Sequence, residues 1–244
     1  MTIFDGWLEK YYKTRFNYLI CMISLFAIIG ALIRIFFFTP VDSFQGIVQK
    51  IFYIHLPCAI SSFAAFFFVF IFSITYLLTR RNIFDDVASS MAEVGLIFCS
   101  LVLLTGPIWA KSAWGTWWTW DNRLTTTLIL WILYSGYLML RNLSLENERG
   151  KRVAAVVGIV AFLDIPIIQM SIKWWRTIHP TVLSGGPGNG IDLEMKITLI
   201  ISTLAFFLFF VTIWIERFAL SRSETFLRMV QIEDDFLSDK NELI

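Results

Sequence analysis

Six stretches of this chain are each apolar for long enough to cross a lipid bilayer, and that limits the fold more than any motif does. A helix needs about 20 mostly apolar residues to span a hydrocarbon layer about 30 Å thick. The stretches cover roughly residues 18–38, 57–78, 94–110, 124–140, 153–172 and 197–215. Composition agrees, with 57% hydrophobic and 16% charged residues, where a soluble domain carries about 45–50% and about 25%. The expected fold class is an all-α integral membrane protein of six transmembrane helices, one membrane domain over residues 1–244. Pro107, after Thr105 and Gly106, is expected to bend the third span, the shortest of the six, and Pro166 to kink the fifth. The first span is too long for a signal-peptide core and is followed by no small-residue cleavage site, so it is expected to remain.

Lysine and arginine set the orientation. The N-terminal segment, residues 80–92, residues 141–152 and the tail beyond 216 together hold 13 of them, and the opposite side holds 7. Positive charge marks the cytoplasmic side, so both termini are expected there, and residues 39–56, 111–123 and 173–196 outside. The tail, about 216–244, is polar and acidic towards its end and reads as a short amphipathic or disordered extension. A net charge of +1 offers nothing to a nucleic acid. Cys21, Cys58 and Cys99 lie far apart in apolar runs and read as small hydrophobes.

The outer loop between spans three and four holds AWGTWWTWDNRLT, residues 113–125, with Trp114, Trp117, Trp118 and Trp120 ahead of Asp121. As a helix it would put Trp114, Trp117, Trp118 and Asp121 on one face; extended, it would point neighbouring rings to opposite sides. An aromatic belt at the membrane interface is the simplest explanation. Belts, however, spread their rings over many loops. Here they are concentrated beside Lys111, Asp121 and Arg123, which suits a ligand with an apolar part and an anionic part.

The chain has two histidines, and both fall on this outer side: His55 in FYIHLP at the entrance to span two, and His179 in KWWRTIHP after span five, beside Trp174 and Trp175. A lone histidine is commonly a hydrogen-bonded structural residue. Two flanking one aromatic shelf suggest axial ligands on opposite faces of a metalloporphyrin. Haem b, iron protoporphyrin IX, would use every component: indoles against the ring, imidazoles on the iron, and cations from Lys111, Arg123, Lys173 and Arg176 for the propionates. Zinc fits less well, because two histidines without a nearby cysteine make an incomplete tetrahedron. Asp121 could orient a histidine or cap the helix that starts near Arg123.

Other candidates are weaker. Asp164 lies within span five, where an ionisable group is a functional hypothesis by default, though a hydrogen-bonded carboxyl at a proline kink suits it as well. Arg34 snorkels to the surface or reaches a propionate. GGPGNG, residues 185–190, lacks the flanking strand, helix and Lys-Ser/Thr ending of a phosphate loop and reads as a turn. No nucleophile–base pair and no ATPase motif stand out, so the chain is not expected to be an enzyme.

Trp-Gly-x-Trp-Trp-x-Trp-Asp, Trp114 to Asp121, resembles the tryptophan-rich signature of the haem-handling membrane protein superfamily. Its continuation Asp121-Asn122-Arg123-Leu124-Thr125 resembles the haem exporter protein C family of cytochrome c maturation, system I, rather than the haem ligases. YIHLP at 53–57, TGPIWAKSAWG at 105–115 and IPIIQMSIKWWRTIHP at 165–180 extend the likeness over residues 50–180. The resemblance implies His55 and His179 as axial ligands and Trp114, Gly115, Trp117, Trp118, Trp120 and Asp121 as the tryptophan-rich domain. It implies a bacterial inner-membrane protein that holds haem on the periplasmic face and presents it to a periplasmic haem chaperone, the E component, whose own histidine bonds a haem vinyl. The implied neighbours are an ABC transporter of A and B components and a single-span D component. A haem permease and a cytochrome c haem ligase are the alternatives, along with a scaffold that binds no haem.

Overall fold

A computed structural model describes residues 16–43, 45–143, 147–175 and 192–242. All regular structure among them is helical, and six segments are long and apolar enough to cross a membrane. In chain order the helices are α1 (Phe16–Ile33), α2 (Phe52–Thr79), α3 (Asn82–Trp114), α4 (Asn122–Leu143), α5 (Glu148–Phe162), α6 (Asp164–Trp174) and α7 (Leu193–Glu242). A π turn, Arg34–Phe38, continues α1, and a 3-10 turn, Ile47–Ile51, leads into α2. The wider π spacing leaves carbonyls for side chains. Thr39 Oγ1 donates to the Arg34 carbonyl at 2.9 Å, and the buried Lys50 Nζ donates to that of Phe36 at 2.6 Å.

The antiparallel pair α2 and α3 forms the centre, joined by a turn at Arg80, which takes the left-handed conformation at φ 58° and closes α2 by donating its N–H to Tyr76. Small residues let the two backbones approach. A Cβ on Gly95 would come within 2.8 Å of Phe66 and 2.9 Å of Ala65, and Ser62 Oγ donates to the Gly95 carbonyl at 3.1 Å. Around this pair, α7 packs on α1, α2 and α3, α5 on α2 and α4, and α6 on α4. Phe66 and Tyr134 stack at 3.8 Å with their planes 7° apart, among the buried Val94, Phe98 and Leu130.

Several boundaries differ from the expectation. The third span is one of the longest helices, 33 residues, and it runs unbroken through Pro107 to Trp114. Its first turns, read from sequence as a charged loop, carry Asp85 and Asp86, both buried. Arg141 binds both, Nε to Asp85 at 3.1 Å and Nη2 to Asp86 at 2.9 Å, and Arg222 reaches Asp86 at 3.0 Å. Arg217 pairs with Glu93 nearby. Charges consumed in this way need no solvent. The fifth span does break, at Leu163 between α5 and α6. That is where Pro166, lacking an N–H, cannot bond the Phe162 carbonyl. The tail is neither short nor irregular: α7 continues for 50 residues to Glu242.

Candidate functional site

Where α2 begins, α3 ends and α4 begins, the helices part around a cleft of about 740 Å³ including its open mouth. His55 and Phe63 of α2 face Gly106, Trp109 and Trp114 of α3. Trp118 of the following loop, Arg123 of α4 and Ile168 of α6 complete the lining. The wall is mostly apolar, with one imidazole and one guanidinium.

His55 belongs to the first turns of α2 rather than to a loop before it. Its Nδ1 lies 2.9 Å from Thr105 Oγ1, and its ring meets the edge of Trp109 with centroids 5.9 Å apart and planes at 74°. Trp109 is buried and donates its Nε1–H to Gln45 Oε1 at 2.9 Å, which fixes that wall. Gly106 gives the imidazole room, since a Cβ there would already touch His55 Cε1 at 3.5 Å.

The tryptophan loop is not helical. Gly115 ends α3 in the left-handed region at φ 79°, donating its N–H to the Lys111 carbonyl at 3.1 Å; a residue without a Cβ suits that conformation. The turn divides the indoles. Trp114 and Trp118 line the cleft, while Trp117 and Trp120 stand outside the lining, 59% and 76% exposed. Lys111 Nζ binds the Gly115 carbonyl at 3.0 Å and sits 6.0 Å from the Trp117 ring centre. Trp118 packs edge-on against Trp120 at 5.8 Å, and its buried Nε1 has no hydrogen-bond partner among the described residues.

Asp121 takes the capping role. Its Oδ1 accepts the Arg123 N–H at 3.0 Å and its carbonyl accepts that of Thr125 at 2.9 Å, so it is the N-cap of α4. The cap holds in place the turn that carries Arg123 into the cleft. No hydrogen bond or ion pair engages the Arg123 side chain among the described residues, and Asp121 is the acidic group near it. The Arg123 guanidinium in the cleft lining can receive a carboxylate.

Of the residues expected from sequence, His55, Trp114, Trp118 and Arg123 come together, Gly115 and Asp121 shape the loop that holds them, and Trp117 and Trp120 face outward. His179, Arg176 and the 185–190 turn lie outside the described residues. Trp174 and Trp175 are exposed and meet edge to face at 5.7 Å. Arg34 pairs with Glu194 at 2.8 Å. Asp164 opens α6, buried, with Oδ2 unpartnered among the described residues. Sequence reasoning missed Thr105, Gly106 and Trp109 as site residues. Val102, Gly106 and Trp109 recur at i, i+4 and i+7, a signal already present within the third span.

Comparison with known proteins supplies the remaining finding. The family model described as heme exporter protein C matches residues 7–231 of this chain. The chain is similar to the heme exporter protein C of Bradyrhizobium diazoefficiens, 37% identical over 193 residues, 79% of this chain and 72% of that protein. It is similar to that of Haemophilus influenzae, 32% identical over 221 residues, 87% and 90% of the two chains. The Escherichia coli K12 protein of the same description is 32% identical over 182 residues, 75% and 74%.

Proposed function

This chain belongs to the heme exporter protein C family, and from that membership together with the cleft we propose that it holds haem b as cargo and presents it to a partner. The carrying observation is His55, set in a tryptophan-walled cleft with Arg123 at its edge. The family implies a role in haem export or cytochrome c maturation; the residues supply the particulars. A porphyrin is flat and apolar with two carboxylates. Trp109, Trp114 and Trp118 suit the ring, and Arg123 suits the propionates. His55 would be one ligand of the iron and His179 the other. Bound there, the iron supplies the coordination that retains the ring.

The charge asymmetry of the loops supports an outward-facing cleft on the periplasmic side of the bacterial inner membrane, with both termini in the cytoplasm. The outward Trp117 and Trp120 suit contact with the E-component chaperone. The A, B and D components complete the assembly. Covalent bond formation belongs to the chaperone; this subunit, one haem-handling membrane domain, orients its cargo and is not itself an enzyme. Presentation is favoured over passage because the bundle beneath the cleft is filled by the Phe66–Tyr134 stack and the side chains around it.

The test is an absorption spectrum of detergent-purified protein, produced with and without the chaperone, for wild type, His55→Ala and His179→Ala. Wild type is expected to carry low-spin six-coordinate haem, altered or lost in each variant. Wild-type spectra in both variants would remove the ligand assignment.

A further inference from the structure

Histidine binds a metal through whichever ring nitrogen lacks a proton, and the partner of the other nitrogen decides which that is. Thr105 is the partner of His55 Nδ1, and its hydrogens can be accounted for. The Thr105 hydroxyl has one proton. It lies 2.7 Å from the Leu101 carbonyl, one turn earlier on α3, and 3.4 Å from that of Val102. At 2.7 Å from a carbonyl the hydroxyl must donate, since otherwise two acceptors would face each other. The same oxygen is 2.9 Å from His55 Nδ1. In that bond it therefore accepts, and Nδ1 carries the hydrogen. Nε2 is left with the lone pair.

The kind of acceptor matters as much as its place. A carboxylate in the position of Thr105 would draw on the Nδ1 proton, make the ring more basic and tighten its bond to a metal. A neutral hydroxyl orients the ring with little of that push. Trp109 on one side and Gly106, which has no side chain, on the other confine the imidazole.

We propose that Thr105 is a positioning residue that fixes His55 as the Nδ1-protonated, Nε2-ligating tautomer and, being uncharged, keeps it a ligand that can let its cargo go. This rests on the haem-holding reading above. It adds a residue that touches neither ring nor iron but sets the strength with which one face is held.

Full-length protein in detergent, reconstituted with iron protoporphyrin IX, provides the test. Thr105→Val removes the acceptor with little change of shape, Thr105→Ser restores it, and Thr105→Asp charges it. Thr105→Val is expected to weaken haem binding about 10–100-fold, the usual effect of losing an outer partner of a metal-bound histidine, and to alter the electron paramagnetic resonance signature of the ferric haem. Thr105→Ser should match wild type. Thr105→Asp should lower the midpoint potential and slow haem transfer to added apomyoglobin. The proposal is overturned if His55→Ala changes the spectrum while Thr105→Val keeps wild-type affinity and signature, or while Thr105→Asp keeps wild-type potential and transfer rate. A His55→Ala spectrum equal to wild type would instead refute the haem-holding reading beneath it. Should Thr105→Val fail to fold, the Ser and Asp variants decide between the outcomes.

Discussion

Replacing Asp121 distinguishes a helix cap from a charge that serves the ligand. In the structure its Oδ1 accepts one N–H of the first turn of α4, that of Arg123, at 3.0 Å. Losing an N-cap acceptor to alanine costs roughly 1 kcal/mol, within about 0.5–2, and loss of the negative charge at a helix start adds about 0.3–1 kcal/mol. Asp121→Ala should therefore destabilise the first turn by about 1–2 kcal/mol. At tenfold per 1.4 kcal/mol, amide hydrogen exchange over residues 122–125 should accelerate roughly 5–30-fold. Arg123 and Leu124 line the cleft, so haem content per protein should fall with it. Asp121→Asn keeps an acceptor oxygen and loses only the charge, so it should recover most of both measurements. If the asparagine variant is as impaired as the alanine variant, the carboxylate acts through its charge and the capping argument is wrong.

Three further outcomes are expected. Arg141→Leu strands the buried Asp85 while Asp86 retains Arg222; thermal melting in detergent should show a loss of about 3–5 kcal/mol, and adding Asp85→Asn should return most of it. Equal melting of wild type and Arg141→Leu would dismiss the network as a source of stability. Gly106→Leu should place a side chain against His55, where even a Cβ is in contact at 3.5 Å, and lower haem content with membrane yield unchanged; undiminished haem would mean that the ring lies elsewhere. Trp117→Ala, at an exposed ring outside the cleft, should leave the haem spectrum intact and reduce loading of the chaperone, and full loading would remove Trp117 from the transfer step.

The spans were legible because apolar runs of this length have few soluble alternatives. Their ends were not. Asp85, Asp86 and Glu93 look like loop residues in one dimension, because the arginines that pair with them, Arg141, Arg217 and Arg222, lie 55 or more positions away. Thr105-Gly106-Pro107 reads as a bend near the end of the third span, yet a proline there frees one carbonyl without stopping the helix, and α3 runs on to Trp114. The tail misled through its acids, whereas the absence of any glycine or proline from Leu193 to Glu242 was the better guide. Within the site, His55, Trp114, Trp118 and Arg123 could be picked out by residue type. The division of indoles into two lining and two outward could not, because it follows from one left-handed glycine at position 115.

The seamless course of α7 has a mechanical corollary. At about 1.5 Å per residue its 50 residues make a rod about 75 Å long, more than twice the thickness of the hydrocarbon layer. Arg217 and Arg222 rivet it to Glu93 and Asp86 of α3, the helix whose far end bears Thr105 and Trp114. A torque applied to the distal shaft thus meets no joint before those rivets, and it arrives at the same helix that walls the cleft.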